Sequence, residues 1–540
     1  MRMLRVLLLS LVVPSLLLAQ HDIPPQGNPK PVTLEPGLGN VHWPVSTKNA
    51  EAQRFFDQGM KYVYGFNHES AVNSFQRATQ LDPELAMGYW GAALALGPNI
   101  NLDVDPDREK QGFDYIQAAR AHETHASAKE RGLIAALSKR YSNDPKADLK
   151  KLAVDYSEAM GVLTKNYPND LDVATLYAES LMDLHPWKFW SLDGKPNAGA
   201  TEIVSVLESV LRHNPNHLGA NHYYVHAVEA SPHPERALAS ADRLKTLAPM
   251  SGHLVHMPAH IYQRTGNYAG AALANTKAAE TDRVYMKHHG AEGIYAAMYY
   301  NHNLQFGLAS YAMMGRFAEA KKMADEFAAD ATAMAKEMPP AEAASASTLL
   351  LLVRFGRWGD ILREKPVDVG PLSSTFSHFA RGSAFARLGD VAGAESEQKA
   401  LETSRANVPD DPGFYQNSEK AIAEVAVHVL AGRIAEARGD SRQAIAEYTS
   451  AIAKEDALDY DDPADWFYPT RETLGATLLN AGRDAEAERV FRADLTRNKH
   501  NPRSLYGLAT TLRAQKKDAA PVTAEFGRMW EGGKLNLADY

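Results

Sequence analysis

The chain contains no cysteine, which excludes disulfides, thiolate zinc sites, cysteine nucleophiles and a lipid-bearing N-terminal cysteine. It has no surplus of basic charge either: 57 Lys and Arg stand against 66 Asp and Glu, a net charge of -9, with a pI near 6.1. The two signs are interspersed, so the clustered Lys/Arg footprint of a nucleic-acid binder is missing and no nucleic-acid partner is expected. There is no Gly-rich phosphate loop, nucleophile elbow or dinucleotide fingerprint. No period-two run between turn signals calls for a sheet. Past the N-terminus, no apolar stretch approaches the ~20 residues of a membrane span.

The 540 residues are 45% hydrophobic, ample for burial but too long for one core, which stops growing near ~250–300 residues. Arg2 and Arg5 precede an apolar run from Val6 to Leu18, and the small residue Ala19 follows. This order of basic, apolar and small residues predicts a secretory signal peptide over 1–19, and hence an exported protein, periplasmic or secreted, with no span left after cleavage. Residues 20–45, rich in Pro, Gly and Asn, read as an extended lead-in.

From 46 to 540 the pattern is periodic. Phe55, Gly59, Tyr62, Ala71, Phe75, Ala78 and Pro83 follow the large–small–aromatic–Ala–aromatic–Ala–Pro order of a tetratricopeptide unit of about 34 residues. The same frame returns at Leu218 and Gly252, then near Asn301 with Gly315 and Ala320, near Val425 with Gly432, Gly439, Ala444 and Tyr448, and near Tyr468 with Gly475, Gly482, Ala487 and Phe491. The chain therefore resembles tetratricopeptide-repeat proteins. The expectation is an all-α superhelix, a solenoid of roughly ten or more helix pairs. The frame breaks near 99–107, 185–197, 286–300 and 457–466, where functional insertions are expected.

The histidines are concentrated in two successive units. His222 and His226 occupy the same repeat positions as His256 and His260, His253 stands near the start of the second unit, and Glu229 follows His226. At about 100° per residue these positions share a face of the first helix of each pair, distinct from the face that packs within the pair. The tetratricopeptide resemblance implies that this second face lines a concave ligand groove. Imidazoles at i, i+4 are ~5–6 Å apart at Cβ, and neighbouring helices lie ~8–10 Å apart, so both pairs can reach one point. His222, His226, His256 and His260 are thus candidate ligands for a transition metal such as Zn, Cu or Fe. Glu229 and His253 are candidate proton-handling catalytic groups. Tyr223, His302 and Gln305 are expected beside them in the groove. A metal, a polar organic or peptide ligand, and a purely structural hydrogen-bond network all fit this pattern.

A second unusual patch, Asp459 to Glu472, combines carboxylates with aromatics before a helix; Trp466, Arg471 and Glu472 are candidate groove residues, and the patch fits either a cover over a ligand or a structured loop that caps the next helix. Beyond the repeat itself, Gly252 to Ile261 (GHLVHMPAHI), His222 to Glu229, Trp90–Gly91 and Asp465 to Glu472 resemble a group of exported bacterial tetratricopeptide proteins. That resemblance implies fold and export and supplies no reaction. Two functions remain open on sequence: a binding or scaffold protein with a protein, peptide or small-molecule ligand in its groove, and a metal-dependent hydrolase or oxidoreductase built on the same cluster.

Overall fold

The computed structural model describes residues 32–290, 295–410 and 416–540. Residues 1–19, where a signal peptide is expected, lie outside the described residues. Among the described residues regular structure is helical throughout, and β pairing is confined to the isolated bridges Asn99–Leu102 and Trp190–Pro196. No described helix is long and apolar enough to cross a membrane.

Local chemistry sets the helix ends. The Asn49 side chain accepts backbone N–H groups of Glu51 and Ala52 at the start of helix Ala50–Val63, and Asn67 does the same for Ser70 at the start of His68–Leu81. Ser127 and Glu130 form a reciprocal capping box. The turn inside a pair needs a left-handed residue, supplied by Gly439 (φ 76°) and Gly482 (φ 70°) in the later units. The first unit places Phe66 there, at φ 55°.

Small residues let the layers close. A Cβ at either Gly59 or Gly91 would overlap the Phe75 ring, so this one ring is clamped between its own hairpin and the next. Phe491 is held in the same way by Gly475 and Gly507. The large–small–aromatic pattern of the sequence is thus the packing code of an all-α solenoid.

The breaks in the repeat frame take different forms. Residues 99–107 and 185–197 are loops pinned by the two isolated bridges. The described parts of 286–300 are helical: Tyr268–His289 runs into the segment and a π-helical turn, Ala296–Tyr300, leads out. Residues 457–466 are irregular. The described end of the lead-in, from Leu34 on, lies over the array. Trp43 is buried with its ring 6.3 Å from Phe56 and 5.8 Å from Trp90, covering the apolar start of the superhelix. Further back, the Gly37 carbonyl accepts the Met250 N–H at 3.0 Å, just before helix Gly252–His256.

Because Gly91 has no room for a side chain, Gly91→Val is expected to overpack Phe75 and cost about 1–3 kcal/mol. A lowered first unfolding transition in a circular-dichroism melt checks this; an unchanged melt would remove the ring clamp as a source of stability.

Candidate metal centre

Helix Leu218–Glu229 carries His222, His226 and Glu229; helix Gly252–His256 carries His253 and His256; Pro258–Thr265 carries His260; and Asn301–Met314 carries His302. Gly252 is required by what lies behind it, since any Cβ there would overlap the buried Asp282 carboxylate. Pro258, lacking an N–H, starts a new helix directly after Met257.

The structure brings these side chains together in two sets. One ring nitrogen from each of His222, His226 and His253 lies within 4.8 Å of the others, and the same holds for His256, His260 and His302. Within the sets, His222 Nε2 is 3.0 Å from His253 Nε2, and His256 Nε2 is 2.9 Å from His260 Nε2. A third grouping joins His226, Glu229 and His260.

Outer partners decide which nitrogen carries a lone pair. His222 Nδ1–H donates to the Tyr64 carbonyl at 2.7 Å, one of the carbonyls left without a helical partner at the end of Ala50–Val63. His256 Nδ1–H donates to Asn275 Oδ1 at 2.6 Å, and Asn275 is oriented by donating its own Nδ2–H to the Ala271 carbonyl. His226 Nδ1–H donates to Glu229 Oε1 at 2.7 Å. The Nε2 atoms of these rings therefore carry the lone pairs: those of His222 and His256 face His253 and His260, and that of His226 is buried with no hydrogen-bond partner. His260 Nδ1 lies 2.5 Å from Glu229 Oε2 and 3.6 Å from Asp462 Oδ2, a charge contact out of line with a hydrogen bond.

Electrostatics separate one ring from the rest. Burial holds His222, His253 and His256 well below the usual histidine range, reinforced by the neighbouring imidazoles. It lowers His226 against the pull of Glu229, and brings His302 to about 3. At His260 burial acts downward too, but Glu229 and Asp462 outweigh it and raise the ring to about 10. Glu229 is pushed up by burial and pulled further down by His260 and His226, so it is an anion. The metal-free centre therefore carries one imidazolium, whose Nε2–H faces His256, among neutral rings.

Aromatic walls enclose the cluster. Phe66 stacks on His226 (6.0 Å between centroids) and His253 (5.6 Å) and meets His222 edge-on at 4.5 Å. Phe306 lies 4.9 Å from His256 and 4.8 Å from His260. Tyr299 covers His253 at 4.9 Å. Half-buried Trp187, from the 185–197 loop, stands 5.4 Å from His226 at φ 61°. Phe66 and Trp187 both hold a conformation that bulky side chains rarely adopt, and both touch His226. Tyr460 closes the remaining side: its hydroxyl donates toward Glu229 Oε2 at 3.3 Å and Asp462 Oδ2 at 3.1 Å, while the Arg264 guanidinium lies 5.4 Å from its ring.

The expected open groove is not what the histidines line. His222, His226, His253, His256 and His260 are at most 4% exposed, because the first hairpin, through Tyr64 and Phe66, and the 457–466 loop fold over that face. Tyr223 does join the cluster, its ring 5.2 Å from His222, and Gln305 hydrogen-bonds half-buried His302. Trp466, Arg471 and Glu472 make their contacts elsewhere. Trp466 packs on Phe379 in the core, Arg471 pairs with Asp456 at 2.5 Å, and buried Glu472 pairs with Arg503 at 2.9 Å and Arg354 at 3.3 Å. The loop does close on the site, through Tyr460 and Asp462. Sequence reasoning missed Tyr64, Phe66, Trp187, Asn275 and Tyr460. A signal existed for Phe66, which fills the turn position where later units have Gly439 and Gly482.

Fold and site together define a class: an all-helical repeat solenoid with an imidazole-lined interior. No protein-family model matches the chain, and no curated protein matches it. Among solved structures it is similar to the human IFIT1 dimer with m7Gppp-AAAA (13% identity, TM-score 0.34, 89% of this chain and 91% of that one). It is also similar to yeast Tom70 (12%, 0.30, 87% and 90%) and to the P58(IPK) TPR domain (12%, 0.22, 86% and 99%). At these values the likenesses say nothing of function, and the solenoid rests on the helix pairing itself.

In metal-free protein His260 is expected to keep its proton up to pH of about 10. Glu229→Gln removes the nearer of the two carboxylates that favour the cation and leaves Asp462 alone against burial, so the pKa is expected to fall. Imidazole chemical shifts followed against pH check this; an unmoved His260 would rule out the carboxylate as the cause.

Proposed function

We propose that this protein is an exported tetratricopeptide-type scaffold whose interior holds a transition metal, with His222, His226, His253, His256, His260 and His302 as ligands. The observation that carries the reading is the outward anchoring of Nδ1 on His222, His226 and His256, which turns their Nε2 lone pairs into a buried cluster, that of His226 with no partner and those of His222 and His256 facing other imidazoles. A metal-binding histidine is characteristically fixed in this way by a carbonyl or carboxylate on its other nitrogen. An all-imidazole donor set suits Zn or Cu. On this reading Glu229 is an orienting group, both of its oxygens facing ring nitrogens, and His253 is a ligand more than a proton carrier. The basic–apolar–small order of residues 1–19 supports export.

The untagged mature protein is expected to retain metal at one equivalent or more per chain, and the double variant His226→Ala, His260→Ala to lose it, as read by mass-spectrometric metal analysis. No metal after incubation with Zn, Cu or Fe under reducing conditions would leave the histidines with a structural or polar-ligand role.

A second reading, a metal-dependent enzyme, is favoured by the number of ligands in each set. Three protein ligands leave a coordination position for water or a small substrate, whereas structural sites are closed by four. Azide added to Cu(II)-loaded protein is then expected to bind the metal and produce a charge-transfer band. A spectrum indifferent to azide would mean a coordinatively closed, structural ion.

A further inference from the structure

We infer that the centre holds two metal ions side by side, one on His222, His226 and His253 and the other on His256, His260 and His302. This rests on the metal-binding reading above and adds the number and arrangement of the ions.

The argument is one of repetition. His222 and His226 stand in one repeat unit, and His253 near the start of the next. His256 and His260 stand at the matching places of that next unit, and His302 near the start of the regular unit that follows the 286–300 segment. Each set is therefore the same construction: an i, i+4 pair on one unit completed from the first helix of its successor. A solenoid generates neighbouring units by a nearly constant rotation and rise, so a ligand set built across one junction is copied at the next.

The outer partners are copied with it. The leading histidine of each pair is anchored by a carbonyl-type oxygen, Tyr64 O at 2.7 Å for His222 and Asn275 Oδ1 at 2.6 Å for His256. The trailing histidine of each pair faces a different oxygen of the same carboxylate, Glu229 Oε1 at 2.7 Å for His226 and Oε2 at 2.5 Å for His260. Glu229 thus sits behind both sets and belongs to neither. This also argues against a single ion on His226, Glu229 and His260, which would have to displace both of those contacts.

The spacing inside each set suits one ion. Each contains an Nε2–Nε2 pair, at 3.0 Å and 2.9 Å, near the ~3.3 Å edge of a tetrahedron of ligands at ~2.0–2.1 Å from one ion. Ring centroids do not divide the six, lying 4.7–6.1 Å apart within the sets and 5.3 Å (His226–His260) and 5.9 Å (His253–His256) between them, so it is the repeat that pairs the ligands. Six imidazoles in this arrangement serve two three-coordinate ions rather than one six-coordinate ion, and imidazole as a donor suits Zn, Cu, Fe or Ni.

The test uses the full untagged chain stripped of metal, loaded with Cu(II) or Zn and freed of excess by gel filtration. Two ions per chain are expected. His253→Ala and His302→Ala should each reduce this to one, and the combined variant to none, with circular dichroism confirming the helical fold. The wild-type protein provides a measurement independent of any variant: two Cu(II) ions this close should give a spin-coupled resonance spectrum with less than the full integrated intensity. A single ion per wild-type chain, lost in both variants, would overturn the pair while leaving the metal reading intact. No ion at all would sink both. Two ions with uncoupled spectra would place the second somewhere other than this cluster.

Discussion

The buried Glu229 carboxylate is the contact on which the rest of the centre depends. It is an anion in the interior of a helical stack, and such a group is tolerated only where opposing charge and hydrogen bonds surround it. His226, His260 and the Tyr460 hydroxyl supply these from three stretches of chain. Removing one partner of such a buried pair typically costs ~3–5 kcal/mol, because the other charge is left uncompensated. One carboxylate therefore sets the register between two repeat units, turns their trailing histidines toward each other and draws the 457–466 loop onto them.

The aromatic shell is built against local preference. A turn that later units make with Gly439 and Gly482 is made in the first by Phe66, where a left-handed conformation costs an L-residue roughly 1–2 kcal/mol. The ring obtained in exchange lies on His222, His226 and His253. Trp187 holds a similar conformation over His226. Strain retained at two aromatic residues that meet at one imidazole is the mark of a site whose surroundings over-determine it.

Much of this was legible in the sequence, and the rest was not for definite reasons. Periodicity alone places Gly59 and Gly91 against Phe75, and a helical wheel alone places His222 with His226 and His256 with His260, because both depend on neighbours along one or two helices. Tyr64 and Asn275 could not be read as anchors: a backbone carbonyl leaves no trace in a residue pattern, and an Asn in a second helix is ambiguous. The closing of the groove was hidden for a related reason. It depends on how far the superhelix coils before the first hairpin meets His222, His226 and His253, a sum of small rotations that no local motif encodes. The 457–466 loop was correctly singled out, but its reach is set by Tyr460 and Asp462, whereas Trp466 and Glu472 turn inward to Phe379 and Arg503.

The long contacts change what kind of object the array is. An ordinary stack of helix pairs yields like a spring, since each unit touches chiefly its neighbours. Here Tyr64 is tied to His222 across 158 residues and Tyr460 to Glu229 across 231. Units far apart along the chain are thereby clamped to one another at a single buried point, so a pull on the array loads that clamp before it can extend the coil.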